Sequence, residues 1–237
     1  TTREVYDIAH EEPWGWKVWA YLWTKSIAAG GGILAAFLSI LSGEGSGWAP
    51  PAIALLFLTI TAGLLIVDLK HPERFWYMLV RPNFDSWLVK GGVVLTAFGG
   101  LASLWLLFEY MGWETHPVIL WAVIPVGGLT AGYTAFLFHQ AKGRDFWQSR
   151  GLLVHLLLEA VVCGAAGLIL LDAVGFYSEP GLILEVILGI SALLQWFVIR
   201  YELDSKHENV DFRNAAKEIL SGRFSRSFRW YVEGFGG

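Results

Sequence analysis

The chain has 237 residues, 55% hydrophobic and 16% charged, against roughly 25% charge in a soluble domain. Its net charge of −4 conceals two faces of opposite sign, and the composition argues against a soluble enzyme and against nucleic-acid binding. The single cysteine, Cys163, excludes a disulfide framework or a cysteine-ligated cluster within the chain.

The first residues, Thr1–Glu12, are polar and acidic and lack the basic and apolar regions of a secretory signal. The sequence opens at Thr1 rather than Met, so residues before it are expected. Six apolar stretches follow: Val18–Ser42, Ala52–Leu69, Trp87–Leu107, Val118–Phe138, Leu152–Leu171 and Gly181–Ile199. Each is about 20 residues, the length a helix needs to cross ~30 Å of hydrocarbon. The expected fold is an all-α integral membrane protein with a bundle of about six transmembrane helices. Its expected parts are a polar segment over 1–16, the bundle over 17–201 and a basic tail over 202–237.

The first stretch carries Lys25, two turns beyond Lys17, and Gly30-Gly31-Gly32. The turn after it holds Glu44 and no Lys or Arg. Asp68 closes the second stretch, and a basic loop with Lys70, Arg74 and Arg81 follows. The third and fourth stretches carry Gly91-Gly92, Gly99-Gly100 and Gly127-Gly128, read as sites of close helix approach. Pro125 is read as a kink. The turn between these stretches is acidic, with Glu109 and Glu114, and His139 ends the fourth. Lys142, Arg144 and Arg150 then precede His155 and Glu159, which share one face of the fifth stretch. Cys163 is read as a packing residue there. The turn before the sixth stretch holds Asp172 and Glu179, and a tail with seven Lys and Arg follows the sixth. The tail's aromatic and Arg-rich end reads as the approach to a further span.

All seventeen Lys and Arg thus fall on one side, with both ends of the chain. The positive-inside rule expects that side, and both termini, to be cytoplasmic. Trp14, Trp16, Trp19, Trp48, Trp76, Trp87, Trp113 and Trp147 lie near stretch ends and read as an interfacial belt.

Charge inside hydrocarbon costs several kcal/mol. Lys25 and Glu159 lie ~12 Å in from the basic face at 1.5 Å per residue, so a pair is open to them if their helices touch. With Asp68, His139 and His155 they would form a polar pocket opening to that face. Each also has a structural reading: a snorkelling Lys, a helix-end Asp, interfacial histidines, a buried protonated Glu. Such a pocket suits two-electron, two-proton chemistry on a lipid-soluble ring. Ring oxygens need His or Tyr partners, and a carboxylate or imidazole takes the protons. A proton-coupled transporter would use the same residue types. No phosphate loop, nucleotide-binding glycine pattern, His-Glu-x-x-His or Cys-x-x-Cys is present.

Two segments carry a family resemblance: Asp68-Leu-Lys-His-Pro-Glu-Arg-Phe-Trp-Tyr-Met-Leu-Val-Arg-Pro82, and Gly132-Tyr-Thr-Ala-Phe-Leu-Phe-His139 with Arg144-Asp-Phe-Trp147 beyond it. Both resemble the membrane subunits of the polysulfide reductase (NrfD-like) family. So do Trp16…Tyr21…Ala28-Ala29-Gly30 and the tail Ser221–Trp230. The resemblance implies a subunit that binds a quinone (menaquinone or ubiquinone) in the bilayer, with no haem or iron–sulfur cluster of its own. It implies an adjacent ferredoxin-like iron–sulfur subunit, and a molybdopterin catalytic subunit or multihaem cytochrome beyond that. Relatives usually have eight or more spans, so six implies a truncated or compact variant. Under this reading Asp68, His139 and Glu159 are the catalytic candidates. Lys25, Tyr21, His155 and Tyr133 are the quinone-binding candidates, and His71, Arg74, Arg81 and Arg144 face the partner. Lys25 departs from the expected pattern. Several family complexes dock the iron–sulfur subunit on the outer side, which conflicts with a cytoplasmic basic face.

Two rival readings stay open. A cytochrome b-type anchor needs bis-His haem, and His71, His139 and His155 lie near one face while His116 is alone on the other. A proton-coupled transporter would show internal repeats and broken helices, and no convincing repeat is found.

Overall fold

The computed structural model describes residues 15–68, 81–140, 149, 151–178, 181–204, 216–222 and 224–230. Among the described residues, six helices are long and apolar enough to cross a membrane. They are α1 (Trp16–Ser42), α2 (Ala49–Asp68), α3 (Trp87–Tyr110), α4 (Pro117–His139), α5 (Leu152–Ala173) and α6 (Gly181–Asp204). The protein is an all-α multi-pass membrane protein, as its sequence led us to expect. Every helix begins or ends outside its apolar stretch. The largest difference is at α6, which runs on through Arg200, Tyr201 and Glu202 to Asp204.

The turns on the acidic side are short. Gly43, Gly112 and Gly175 adopt φ of 70°, 68° and 79°, a left-handed conformation that costs glycine little. Gly43 donates its N–H to the Ser39 carbonyl at 3.0 Å, closing α1. Proline stands in the first turn of α4, where no helical donor is lost, and the His116 side chain accepts from the Val118 N–H at 3.3 Å.

α1 to α4 pack as a ring, each against the next, with α1 against α4 closing it. α5 docks on α1 and α4, and α6 docks on α5. The core beside α1 is built of small residues with a few large ones, Ala28, Ala35, Ala36, Phe98, Trp105, Val123 and Leu168.

Glycines set the closest approaches. A Cβ on Gly30 would collide with the Ala160 carbonyl, and one on Gly164 with the Gly30 backbone. The α1 and α5 backbones therefore touch, as small residues permit in membrane helices. The pairs Gly91-Gly92 and Gly127-Gly128 each have one inward member. A Cβ on Gly91 would meet the Tyr133 ring, and one on Gly127 the Ile33 side chain at 2.7 Å. Their neighbours Gly92 and Gly128 meet nothing within 4 Å among the described residues.

Candidate functional site

The Gly30–Gly164 contact decides what lies beside what. α1 and α5 both run from the basic side to the acidic side. Lys25 stands five residues before Gly30, and Glu159 five before Gly164. Parallel helices in contact at that point hold both side chains at one depth, and the two charges act on each other.

Lys25 is 0% exposed. Its ammonium donates to the Ala131 carbonyl at 2.8 Å and to the Thr134 hydroxyl. It also sits over the Tyr133 ring, 5.1 Å from the centroid. Three donors thus meet two acceptors, a π face and a nearby carboxylate. An unpaired ammonium in hydrocarbon would be far more costly, so α4 and α5 hold this charge in place. The Tyr133 ring is held from behind by Gly91 of α3.

Tyr21 is buried one turn before Lys25 and within electrostatic reach of both Tyr133 and Asp68. Asp68 is the half-buried last residue of α2. Within this layer the Thr24 and Thr61 hydroxyls bond at 2.8 Å and tie α1 to α2. The buried Ser26 hydroxyl lies beside the Glu159 carboxylate without a hydrogen bond of normal geometry.

His155 turns toward α6. One ring nitrogen, Nε2, meets Glu202 Oε2 at 2.8 Å. The other, Nδ1, meets the Gln195 amide nitrogen at 3.2 Å. With the amide in this orientation Nδ1 accepts, so the neutral ring carries its proton on Nε2, pointed at Glu202. The Ser149 hydroxyl also donates to Glu202. His155 and Glu202 side chains are 16% and 14% exposed, so this group lies at the rim of the bundle.

The structure brings together Tyr21, Lys25, Tyr133 and Glu159, with Asp68 at one edge and His155 at the other. It does not bring in His139, which is exposed at the end of α4. Arg81 is exposed ahead of α3. His71, Arg74 and Arg144 lie outside the described residues.

Thr134, the Ala131 carbonyl, Gln195 and Glu202 do not stand out in the sequence, where Glu202 reads as part of the tail. The available signal is its spacing of seven from Gln195, two turns along one face of α6. No group of three or more His, Cys, Asp or Glu placed to hold a metal ion occurs among the described residues.

The sequence profile of a family described as polysulphide reductase, NrfD, matches residues 5–236. One of the chains of polysulfide reductase from Wolinella succinogenes is 36% identical over 40% of the present sequence and 32% of its own. One of the subunits of selenate reductase from Mesobacillus selenatarsenatis is 24% identical over 92% of the present sequence and 62% of its own. The protein therefore spans about a third and three fifths, respectively, of these curated relatives.

Proposed function

The chain belongs to the polysulphide reductase NrfD family, and from that premise we propose that it is the quinone-interacting membrane subunit of a respiratory oxidoreductase complex. A lipid-soluble quinone or quinol exchanges electrons with an adjacent iron–sulfur subunit at this chain's basic half, and that subunit serves a separate catalytic subunit. The observation that carries the reading is the layer of buried Lys25, Tyr133 and Tyr21 with half-buried Glu159. Four proton-bearing side chains from α1, α4 and α5 converge inside hydrocarbon, where ionisable groups mark function by default.

The chemistry divides among them. A ring oxygen gains negative charge as a quinone is reduced or a quinol deprotonated, and the Lys25 ammonium offsets that charge in a medium of low dielectric. Tyr21 and Tyr133 offer hydroxyls to ring oxygens and flat faces to the ring. Glu159 and Asp68 flank the layer as proton acceptors. The basic face, with both chain ends, is assigned to the cytoplasm.

Purification of the native complex in mild detergent tests this, with mass spectrometry of subunits and extracted lipids and an absorption spectrum. An iron–sulfur subunit and a quinone that co-purify, with no haem assignable to this chain, are the expected result. A protein that comes out alone, without quinone or redox partner, would overturn it.

A further inference from the structure

The groups around α5 form a line that leaves the ring site sideways. Lys25 and Glu159 lie at one depth, fixed by the Gly30–Gly164 contact. His155 is one turn nearer the basic face on the same side of α5 as Glu159, ~6 Å along the axis. Glu202 of α6 takes the His155 ring at 2.8 Å and stands near the end of its helix at the rim. In sequence, Glu202 reads as a tail residue. In the fold it faces back into the bundle.

We infer that Glu159, His155 and Glu202 form a lateral proton relay between the ring site beside Lys25 and water at the basic face. The inference rests on the quinone reading above. The balance is simple. Oxidation of one quinol breaks two O–H bonds and releases two electrons and two protons. The electrons leave singly to an iron–sulfur centre of the partner subunit. Each proton passes to the Glu159 carboxylate and then to Nδ1 of His155 as the Gln195 amide rotates away, while the Nε2 proton goes to the Glu202 carboxylate and out to water. Quinone reduction runs the same steps backward.

Three features favour a relay over a static tie. Imidazole accepts at one nitrogen while donating from the other, and His155 has a partner on each. Gln195 offers the ring a donor, while its own Oε1 is buried without a partner among the described residues. Rotation of the amide presents that oxygen to Nδ1–H, so His155 is served in both charge states. Glu202 is half-buried, not sealed, and its second oxygen takes the Ser149 hydroxyl at the rim. Asp68, on the other flank, is the competing exit, and the test separates the two.

The test uses the whole complex in detergent. Binding is read with a fluorescent hydroxyquinoline N-oxide, a quinol-site probe. Electron transfer is read by stopped-flow bleaching of the partner's iron–sulfur absorbance on mixing with menadiol. Glu202→Gln and His155→Leu are expected to bind the probe as the unmodified complex does, and to slow bleaching by roughly tenfold or more. Azide added to the first and imidazole added to the second should restore the rate. Glu185→Gln, at the far end of α6, should leave it unchanged. Unchanged rates in both relay variants overturn the relay, and a loss confined to Asp68→Asn moves the exit to α2. Slowing that added azide or imidazole cannot repair also overturns the relay and makes Glu202 a structural tie. If Glu202→Gln does not assemble, Glu202→Asp decides. A larger solvent deuterium isotope effect on its bleaching supports the relay, and an unaltered one refutes it. If the unmodified complex neither binds the probe nor bleaches, the quinone reading itself falls, and the relay with it.

Discussion

α1 and α6 are both long apolar helices, but 72% of the most apolar stretch of α1 is buried against 11% for α6. The more apolar of the two is the more exposed. In water the order would be reversed. In a bilayer the solvent is as greasy as leucine, so apolar surface gains nothing by turning inward, and helices associate through small residues and polar partners. α1 carries Gly30, Gly32, Ala28, Ala29, Ala35 and Ala36, with Thr24, Lys25 and Ser26, on its buried faces. α6 puts Leu182, Ile190, Leu193 and Phe197 outward and turns Gln195 and Glu202 toward α5.

The contrast can be broken at several points, the hardest first. Gly164→Leu should push the α1 and α5 backbones apart and cost more than ~3 kcal/mol, the upper end of ordinary overpacking. Gly31→Leu, where a Cβ meets open space, should change stability by under ~0.5 kcal/mol. Thermal unfolding in detergent compares the two. A tolerated Gly164→Leu would mean that α5 is not seated on α1 as described.

Lys25→Met separates chemistry from packing. Replacing a buried charge together with its polar demands by an apolar chain of similar length is often neutral for stability. Quinol-driven electron transfer should nonetheless fall by roughly 100-fold. Lost assembly with retained turnover per folded complex would make Lys25 a structural staple. Thr134→Val removes one acceptor from the ammonium while Ala131 and Tyr133 remain, and should cost about 1–3 kcal/mol. The smallest effect is expected at Leu193→Val on the outward face of α6, under ~0.5 kcal/mol. A larger loss there would show that α6 is covered in the native complex.

The six spans were legible because hydrocarbon thickness sets helix length and the basic residues alternate between turns. The partition of side chains between lipid and interior was not. The pairs Gly91-Gly92 and Gly127-Gly128 look alike in sequence, yet one member of each packs and its neighbour does not. Lys25 and Glu159 could be matched in depth by counting, but their contact depended on which helices touch. His155 could be placed on the face of Glu159. Its bond to Gln195 depended on α6 packing against α5, and its bond to Glu202 on α6 continuing past Ile199, through the charged residues Arg200 and Glu202 that mark the end of a span by composition. His139 looked similar to His155 in sequence and is exposed instead.

The anchoring of Lys25 also has a timetable. The carbonyl that receives its ammonium belongs to Ala131, 106 residues later in the sequence. At about 5–20 residues per second of synthesis, that acceptor is made roughly 5–20 s after the lysine. The first of these helices to leave the ribosome is thus the one whose place in the membrane depends on a helix made much later. Until α4 arrives, a nascent α1 must keep its ammonium near headgroups, in the water-filled insertion machinery or with a chaperone. The earliest of these six helices therefore settles only after the fourth is made.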